Sequence, residues 1–168
     1  GRAIAPELGR GAMCVVGLTP EATAAALSAN GEEELWFAGA NGPTTSIVSG
    51  TPAAVARLVT RLEDEGVFVR RIIADASYGS HCPLMAAAAG RLAASLAGLR
   101  PHPTTLPLRS TVTAETVEGE ALDAAYWARN LASPVAFDRA VEALLDDGAD
   151  CFLEVAARGP LGGVLSQL

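Results

Sequence analysis

The segment "TPAAVARLVTRLEDEG" at residues 51–66 determines how the first half of the chain folds. Thr51 is a residue type that caps helix N-termini, Pro52 suits the first helical position, and Gly66 suits the position just after a helix. Apolar residues recur at the i, i+3, i+4 and i+7 spacing, at Val55, Leu58, Val59 and Leu62. The segment therefore predicts an amphipathic helix with one apolar face.

Apolar segments on both sides of this helix predict the strands of a sheet. The predicted strands are residues 11–18, 35–42, 45–50 and 67–74. A second helix at 19–31 has the same Thr-Pro entry and a closing Gly31, and Asn41-Gly42-Pro43 predicts a hairpin turn. The order β-α-β-β-α-β predicts a ferredoxin-like subdomain, with four antiparallel strands and two helices on one face.

The second half of the chain is predicted to contain several helices but only two strands, which are too few to form a sheet. Its predicted helices are 83–99, 123–135 and 137–148, with a final helix over 159–168, and its predicted strands are 106–113 and 150–156. Buried parallel strands need neighbours on both sides. We therefore expect an α/β layer whose other strands lie outside this chain.

Charge and composition exclude several functional classes. The 168 residues have a formal net charge of −7, and all 12 basic residues are Arg without a cluster, which argues against nucleic-acid binding. No apolar run is long enough to span a bilayer, and the N-terminus lacks signal-peptide features. We expect a cytoplasmic protein that binds no membrane.

The three cysteines predict neither a metal site nor a disulfide. Cys14, Cys82 and Cys151 are far apart, and no CxxC occurs. Cys14 and Cys151 lie in apolar runs, so we expect both in the core. No metal or tightly bound cofactor is predicted.

The segment "ASYGSHCPLM" at residues 76–85 contains His81, one of two histidines. It follows a predicted strand and precedes a Pro-initiated helix, a position where α/β proteins place catalytic groups. Adjacent side chains diverge, so Ser80 and Cys82 are poor partners for His81, and no G-x-S-x-G nucleophile elbow occurs. His81 is thus a base whose nucleophile lies elsewhere or a structural histidine. His102, between two prolines, is expected in a surface loop.

Segments covering nearly the whole chain resemble the C-terminal part of the acyltransferase domain of type I polyketide synthases. These domains are related to malonyl-CoA:acyl-carrier-protein transacylases. The pattern YW-x-x-NL-x-x-PV-x-F is the most specific match. The matching segments are "GRGAMCVVGL", "ANGPTTSIVSG", "SYGSHCPLM", "STVTAETVEGEALDAAYWARNLASPVAF" and "DDGADCFLEVAARGPL".

The resemblance implies a Ser-His dyad and ping-pong acyl transfer. His81 corresponds to the general base. Asn41 corresponds to a hairpin Asn that helps to position the substrate, although it could equally be only a turn residue. The acyl donor is a coenzyme A thioester, and the acceptor is the phosphopantetheine thiol of an acyl carrier protein. The implied partners also include an N-terminal segment with the nucleophilic Ser and the ketosynthase domain of the same polypeptide.

The resemblance also implies a division of the chain. Residues 1–10 correspond to a linker or helix end from the large subdomain, 11–75 to the ferredoxin-like small subdomain, and 76–168 to the C-terminal part of an α/β-hydrolase-like large subdomain. The family's serine elbow and the Arg that binds the substrate carboxylate lie upstream of residue 11, with Arg2 falling just after that Arg. Neither is expected in this chain.

The four-residue motif Tyr78 to His81 corresponds to the family's specificity motif. A bulky residue at position 80 would fill the space of an α-methyl group, and Ser80 leaves that space open, as methylmalonyl-type members do. The flanking "PLM" is instead typical of malonyl-type members. One methyl group supplies only about 1–3 kcal/mol of discrimination, so both substrates remain possible, with malonyl favoured.

Three features depart from the family pattern or from the catalytic interpretation. Ala132 stands where the family has Arg, and residues 156–160, "AARGP", replace its closing loop. The missing nucleophile also leaves a non-catalytic alternative open. In that alternative the chain is an interaction module for a carrier protein or another synthase domain.

Overall fold

The computed structural model describes residues 2–29, 33–72, 78–156 and 161–166, which form an α/β fold around a mixed sheet. The described strands are β1 (Ala12–Val16), β2 (Leu35–Gly42), β3 (Thr45–Gly50), β4 (Val69–Arg71), β5 (Leu108–Arg109), β6 (Thr116–Val117) and β7 (Val135–Ala136). The described helices are α1 (Pro20–Ser28), α2 (Pro52–Asp64), α3 (Ala86–Ser95), α4 (Ala124–Ala132), α5 (Phe137–Asp146) and α6 (Gly162–Leu165).

The larger sheet of the described chain has the strand order β4-β1-β3-β2-β7. The first four strands pair antiparallel, with Cys14 opposite Val48 on one side and opposite Arg71 on the other. Their order along the chain with α1 and α2 is the predicted β-α-β-β-α-β. The sequence did not predict β7, which adds to β2 in parallel.

Helix α2 packs its predicted apolar face on this sheet. The Thr51 hydroxyl accepts a hydrogen bond from the Ala54 N–H at 3.4 Å, as predicted for an N-cap. The buried core joins residues of α2 to residues of the first three strands. Its larger members are Val55, Leu58, Val59, Leu62, Cys14, Val16, Leu35 and Val48.

Helix α1 lies on the same face as α2. Thr19 caps its N-terminus by accepting from the Ala22 N–H at 3.2 Å. Leu27 packs against the same core, and Arg61 of α2 donates to the Ala26 carbonyl at 3.2 Å. Two capped helices therefore cover one face of the antiparallel strands.

The opposite face of the sheet is left for the loop that contains His81. Successive strand residues point to opposite faces, so Met13 and Ser49 face away from the core that contains Cys14 and Val48. Met13 and Ser49 are register partners on β1 and β3. Both contact Ser80 on this face.

Two strand predictions for the second half are wrong or too long. The predicted strand 106–113 is reduced to β5, which pairs only with the unpredicted β6 in the described chain. Residues 150–155 form no strand, and Leu153 and Val155 are 87% and 89% exposed. A strand forms only when its backbone groups find partners, and no described residue pairs with this segment.

The expectation for the cysteines is correct for Cys14 and wrong for Cys151. Cys14 is buried in the core beneath α2, whereas Cys151 is exposed. The error follows from the strand prediction, since an apolar run is buried only when another layer packs on it.

The later helices are shorter than predicted. Residues 83–85 form a 3₁₀ turn before α3, and only 162–165 of the predicted final helix are helical among the described residues. Helix α4 is capped by Asp123, which accepts from the Tyr126 N–H at 2.8 Å. It ends at Ala132 because Ser133, which precedes Pro134, is extended.

Some sequence predictions lie outside the described residues. They concern the end of the first helix at Gly31, the end of the strand at 73–74, the subdomain boundary at 75–76 and the loop residues 157–160.

We expect Leu58→Ala to lower the free energy of unfolding by about 2–5 kcal/mol, because it removes a fully buried side chain and leaves a cavity. Urea denaturation of the chain measures this. Thr60→Ala, on the exposed side of the same helix, is the control and should change the value by less than about 0.5 kcal/mol. Equal effects of the two substitutions would contradict the packing described for α2.

Candidate active site

The segment 78–82 crosses the free face of the sheet in close contact with its backbone. A Cβ added at Gly11 would overlap the backbone N of Gly79 and lie 2.7 Å from its Cα. A Cβ added at Gly79 would lie 3.4 Å from the Gly50 carbonyl oxygen and 3.3 Å from Leu84 Cδ1. The glycine at position 11 therefore lets the segment approach the start of β1.

Ser80 is fixed to the sheet by two hydrogen bonds. Its carbonyl oxygen accepts from the Ser49 hydroxyl at 2.6 Å. Its own hydroxyl donates to the Met13 sulfur at 3.1 Å. Ser80 is half-buried, and its hydroxyl is directed toward β1.

His81 has a left-handed backbone conformation, with φ of 58°. This region is uncommon for a residue with a Cβ and is found where the surroundings hold the backbone. The His81 N–H donates to the Leu131 carbonyl at 3.1 Å, so the last turn of α4 holds this side of the residue.

The imidazole of His81 is oriented by the residue that follows α4. Its Nδ1 lies 3.2 Å from the Ser133 carbonyl oxygen. Since a carbonyl can only accept, Nδ1 carries the proton, and Nε2 of the neutral ring is the acceptor. A half-buried histidine with this tautomer is arranged to take a proton at Nε2.

Burial lowers the pKa of His81 below its ordinary value, and hydrogen bonding to the backbone carbonyls of Ser133 and Asn130 partly opposes that shift. The imidazole is therefore neutral at pH 7. A neutral ring at that pH is the form that a general base requires.

The buried thiol beside His81 is not an alternative nucleophile. Cys82 is buried, and its Sγ donates to the Gly79 carbonyl at 3.2 Å. Burial raises the pKa of this thiol, so it stays protonated at neutral pH. Its role in the described structure is to close the turn that precedes α3.

The structure brings Tyr78, Ser80 and His81 together in one segment but does not join Asn41 to it. Tyr78 is half-buried and leads into Gly79. Asn41 is half-buried in β2, at a register irregularity between Ala40 and Gly42. No side-chain hydrogen bond links it to 78–82 in the described part of the chain. Asn41 lies within β2, which continues to Gly42, and the turn itself follows at residues 43–44.

Four residues of the site were not identified from the sequence. Met13 and Ser49 hold Ser80 from the sheet, while Leu131 and Ser133 hold His81 from the end of α4. Ser49 gave no signal of its own in the sequence, where it is one of several polar residues in the predicted strand 45–50. Carbonyl acceptors such as those of Leu131 and Ser133 give no signal, because every residue has one.

In the described residues, no three His, Cys, Asp or Glu side chains form a group that could hold a metal ion. No described helix is both long and apolar enough to cross a membrane.

These features define an α/β fold with a half-buried, neutral histidine on a loop beside its sheet, in the tautomer that can accept a proton at Nε2. The sequence profile of the acyl transferase domain family matches residues 1–165, and the chain belongs to that family. More particularly, its relatives are acyltransferase domains of type I polyketide synthases, which confirms the resemblance seen in the sequence.

Similar proteins include a polyketide synthase and two solved acyltransferases. Spectinabilin polyketide synthase system protein NorA' of Streptomyces orinoci is 36% identical over 155 residues, 92% of this chain and 4% of that protein. The acyltransferase domain from module 8 of the salinomycin polyketide synthase has a TM-score of 0.93 at 37% identity, over 99% of this chain and 38% of that one. Malonyl-CoA:acyl carrier protein transacylase of Xanthomonas oryzae has a TM-score of 0.83 at 28% identity, over 95% of this chain and 51% of that one.

The lowered pKa of His81 predicts a pH dependence of stability. Between the folded pKa and the ordinary value of about 6.5, the unfolded chain binds more protons. The contribution of the neutral His81 is therefore present above about pH 6.5 and is lost as the pH falls through the folded pKa. Glu7 contributes to the pH dependence at lower pH. The hydrogen bond from Arg91 lowers the pKa of its carboxyl group, so the stability that this bond provides is lost only as the pH falls through that lowered pKa.

Urea denaturation between pH 8 and pH 5 tests this prediction. Relative to the wild-type chain, we expect His81→Asn to lose less unfolding free energy between pH 8 and pH 5, because the Asn side chain does not titrate. A wild-type slope in the His81→Asn chain would show that His81 does not titrate as described.

Proposed function

We propose that this chain forms the C-terminal part of a polyketide synthase acyltransferase domain that transfers a malonyl-type extender unit from coenzyme A to the phosphopantetheine thiol of an acyl carrier protein. The observation that supports this most directly is the orientation of His81, with Nδ1 at the Ser133 carbonyl and Nε2 as the proton acceptor. The nucleophilic serine lies on sequence outside this chain.

In the proposed mechanism, His81 moves a proton in each half-reaction. Nε2 takes the serine proton as the serine oxygen attacks the thioester carbonyl, and the departing coenzyme A thiolate takes up a proton from the imidazolium. The phosphopantetheine thiol then gives its proton to Nε2 and attacks the acyl-serine ester, and the serine oxygen recovers a proton from the ring. The coenzyme A ester is thus a substrate, and no resident cofactor takes part.

The Ser133 carbonyl has the orienting role that a carboxylate has in many catalytic triads. A carbonyl dipole fixes the tautomer as a carboxylate does, but it stabilises the imidazolium less, because it has no full charge. His81 is half-buried beside this dipole. Its effectiveness as a general base therefore has to come from its position relative to the serine, because burial does not raise its pKa.

The proposal includes two subdomains. Residues 11–75 form a ferredoxin-like small subdomain, for which the four antiparallel strands and two helices on one face are the support. Residues 1–10 and 76–168 belong to the large subdomain. The ion pair of Glu7 with Arg91 and the 3.0 Å hydrogen bond from Arg91 Nε to the Ala3 carbonyl support the joint assignment.

The exposed apolar segment near residue 153 supports a partner segment that carries the serine. Leu153 and Val155 alternate along an extended chain and are almost fully exposed. Large exposed apolar side chains of this kind mark surfaces that another layer covers. Strands of the N-terminal acyltransferase segment are the proposed cover. The acyl carrier protein and the ketosynthase domain of the same cytoplasmic polypeptide are the further proposed partners.

In the complete domain that contains this chain, we expect His81→Ala to lower acyl transfer by about 10²–10⁴-fold, the range for removing a positioned general base. Transfer of [¹⁴C]malonyl groups to a carrier protein measures the effect. The matched control is His102→Ala, an exposed histidine in the same chain, which should leave the rate unchanged. Normal turnover of His81→Ala would make His81 a structural residue, and an inactive wild-type domain would favour the interaction-module alternative.

Tyr78 and Ser80 are the proposed specificity residues, and Asn41 is the proposed substrate-positioning residue. A small residue at position 80 also supports the alternative of a methylmalonyl-specific enzyme. The Ser80 hydroxyl already bonds to Met13, so a larger side chain at position 80 would have to project away from β1. The space that it would then fill is the proposed site of the α-substituent.

We expect Tyr78→His with Ser80→Phe to retain malonyl transfer and to lower methylmalonyl transfer by about 10-fold to 200-fold, the worth of one methyl group. Competition between the two coenzyme A esters, with acyl-carrier products weighed by mass spectrometry, gives the ratio directly. The single variant Tyr78→His is measured beside the double variant, and the difference between their product ratios gives the contribution of position 80. If a parent that accepts both esters keeps its product ratio, residues 78 and 80 do not line the acyl pocket.

A further inference from the structure

One peptide unit of the site is bonded at both of its polar ends by different parts of the fold. The carbonyl of Ser80 accepts from the Ser49 hydroxyl of β3 at 2.6 Å. The N–H of His81, on the same peptide unit, donates to the Leu131 carbonyl of α4 at 3.1 Å. A peptide unit is planar, so these two bonds together fix its rotation about the chain.

The rotation of this peptide unit sets the backbone of His81. The unit supplies the N–Cα bond about which φ is measured, and the observed φ is 58°. A residue with a Cβ relaxes toward negative φ unless its neighbours prevent it. Such a relaxation would swing the imidazole away from the Ser133 carbonyl, which orients it.

Among the described residues, the hydroxyl of Ser49 has one hydrogen-bond partner, the Ser80 carbonyl. Ser49 is fully buried, in a strand whose neighbouring residue Val48 faces the apolar core under α2. A buried hydroxyl is costly without a hydrogen-bond partner, and Ser80 supplies that partner. The contact lies on the sheet face that the helices leave free.

We propose that Ser49 is a positioning residue for His81. Its hydroxyl holds the Ser80–His81 peptide unit and so keeps His81 in the left-handed conformation that directs Nδ1 to Ser133. Ser49 acts through His81 and contacts no reacting atom. Its effect on catalysis rests on the proposed function, whereas its effect on the histidine does not.

The matched control for Ser49 lies on the same strand. Ser46 is equally buried, and its hydroxyl also donates to a backbone carbonyl, that of Leu18 at 3.0 Å. That bond lies on the helix-covered side of the sheet. Removing either hydroxyl removes one buried hydrogen bond, but only the substitution at Ser49 is expected to change the conformation of His81.

The histidine can be observed directly in the 168-residue chain by NMR. The chain has only two histidines, so His102, which is exposed, supplies the reference signals in the same spectrum. We expect Ser49→Ala to shift or broaden the ring-proton signals of His81 and Ser46→Ala to leave them in place. Unchanged His81 signals in Ser49→Ala, or equal changes in both variants, would overturn the proposal.

Two isosteric variants separate the hydrogen bond from the packing at this site. Ser49→Thr retains the hydroxyl, and Ser49→Val has the shape of the Thr variant without the hydroxyl. We expect His81 signals near the wild-type positions in the Thr variant and displaced signals in the Val variant. This comparison remains decisive if Ser49→Ala is too unstable to measure, and identical spectra of the Thr and Val variants would contradict the role of the hydroxyl.

In the complete domain, we expect Ser49→Ala to lower kcat about ten-fold, the worth of one buried hydrogen bond, with KM for the coenzyme A ester nearly unchanged. In the His81→Ala background the same substitution should have no further effect, because Ser49 acts only through the histidine. Independent, multiplying losses in the double variant would refute the coupling. An inactive wild-type domain would defeat the proposed function alone, since the NMR test of Ser49 does not depend on transfer.

Discussion

The packing of the apolar stripe of α2 on β1 and β3 constrains the rest of the structure. Every second residue of these strands packs into that core, as Cys14, Val16 and Val48 show. The pleat of a strand then assigns the intervening residues to the other face. Met13 and Ser49 are placed there by this alternation, and they become the surface on which the histidine loop rests.

The elements predicted correctly from the sequence are those with local causes. The Thr-Pro caps and the stripe from Val55 to Leu62 are complete within one segment, so α2 is recognisable without its neighbours. The same holds for α1 and for β1 to β3, whose apolar runs are bounded by Gly or by turn residues. His81 was identifiable because a strand end, a glycine and a Pro-initiated helix surround it in the sequence.

The elements that the sequence did not predict depend on distant partners. β7 has two residues and exists because it pairs with β2, nearly a hundred positions away. The apolar run at 150–156 has the composition of a buried strand, but composition does not supply the backbone partners of a strand. The contacts of His81 are equally non-local, since Leu131 and Ser133 contribute backbone carbonyls whose side chains are irrelevant to the contact.

The close approach of Gly79 to Gly11 has a consequence for the engineering of such domains. The four residues from Tyr78 to His81 look like a portable cassette in the sequence, but in the fold they form one side of a contact with Gly11, Met13 and Ser49. Exchanging the four residues between domains transfers only one side of this contact. The transferred segment therefore keeps its geometry only when the recipient has a glycine just before β1 and compatible side chains at positions 13 and 49. The natural unit of exchange is the loop together with β1 and β3.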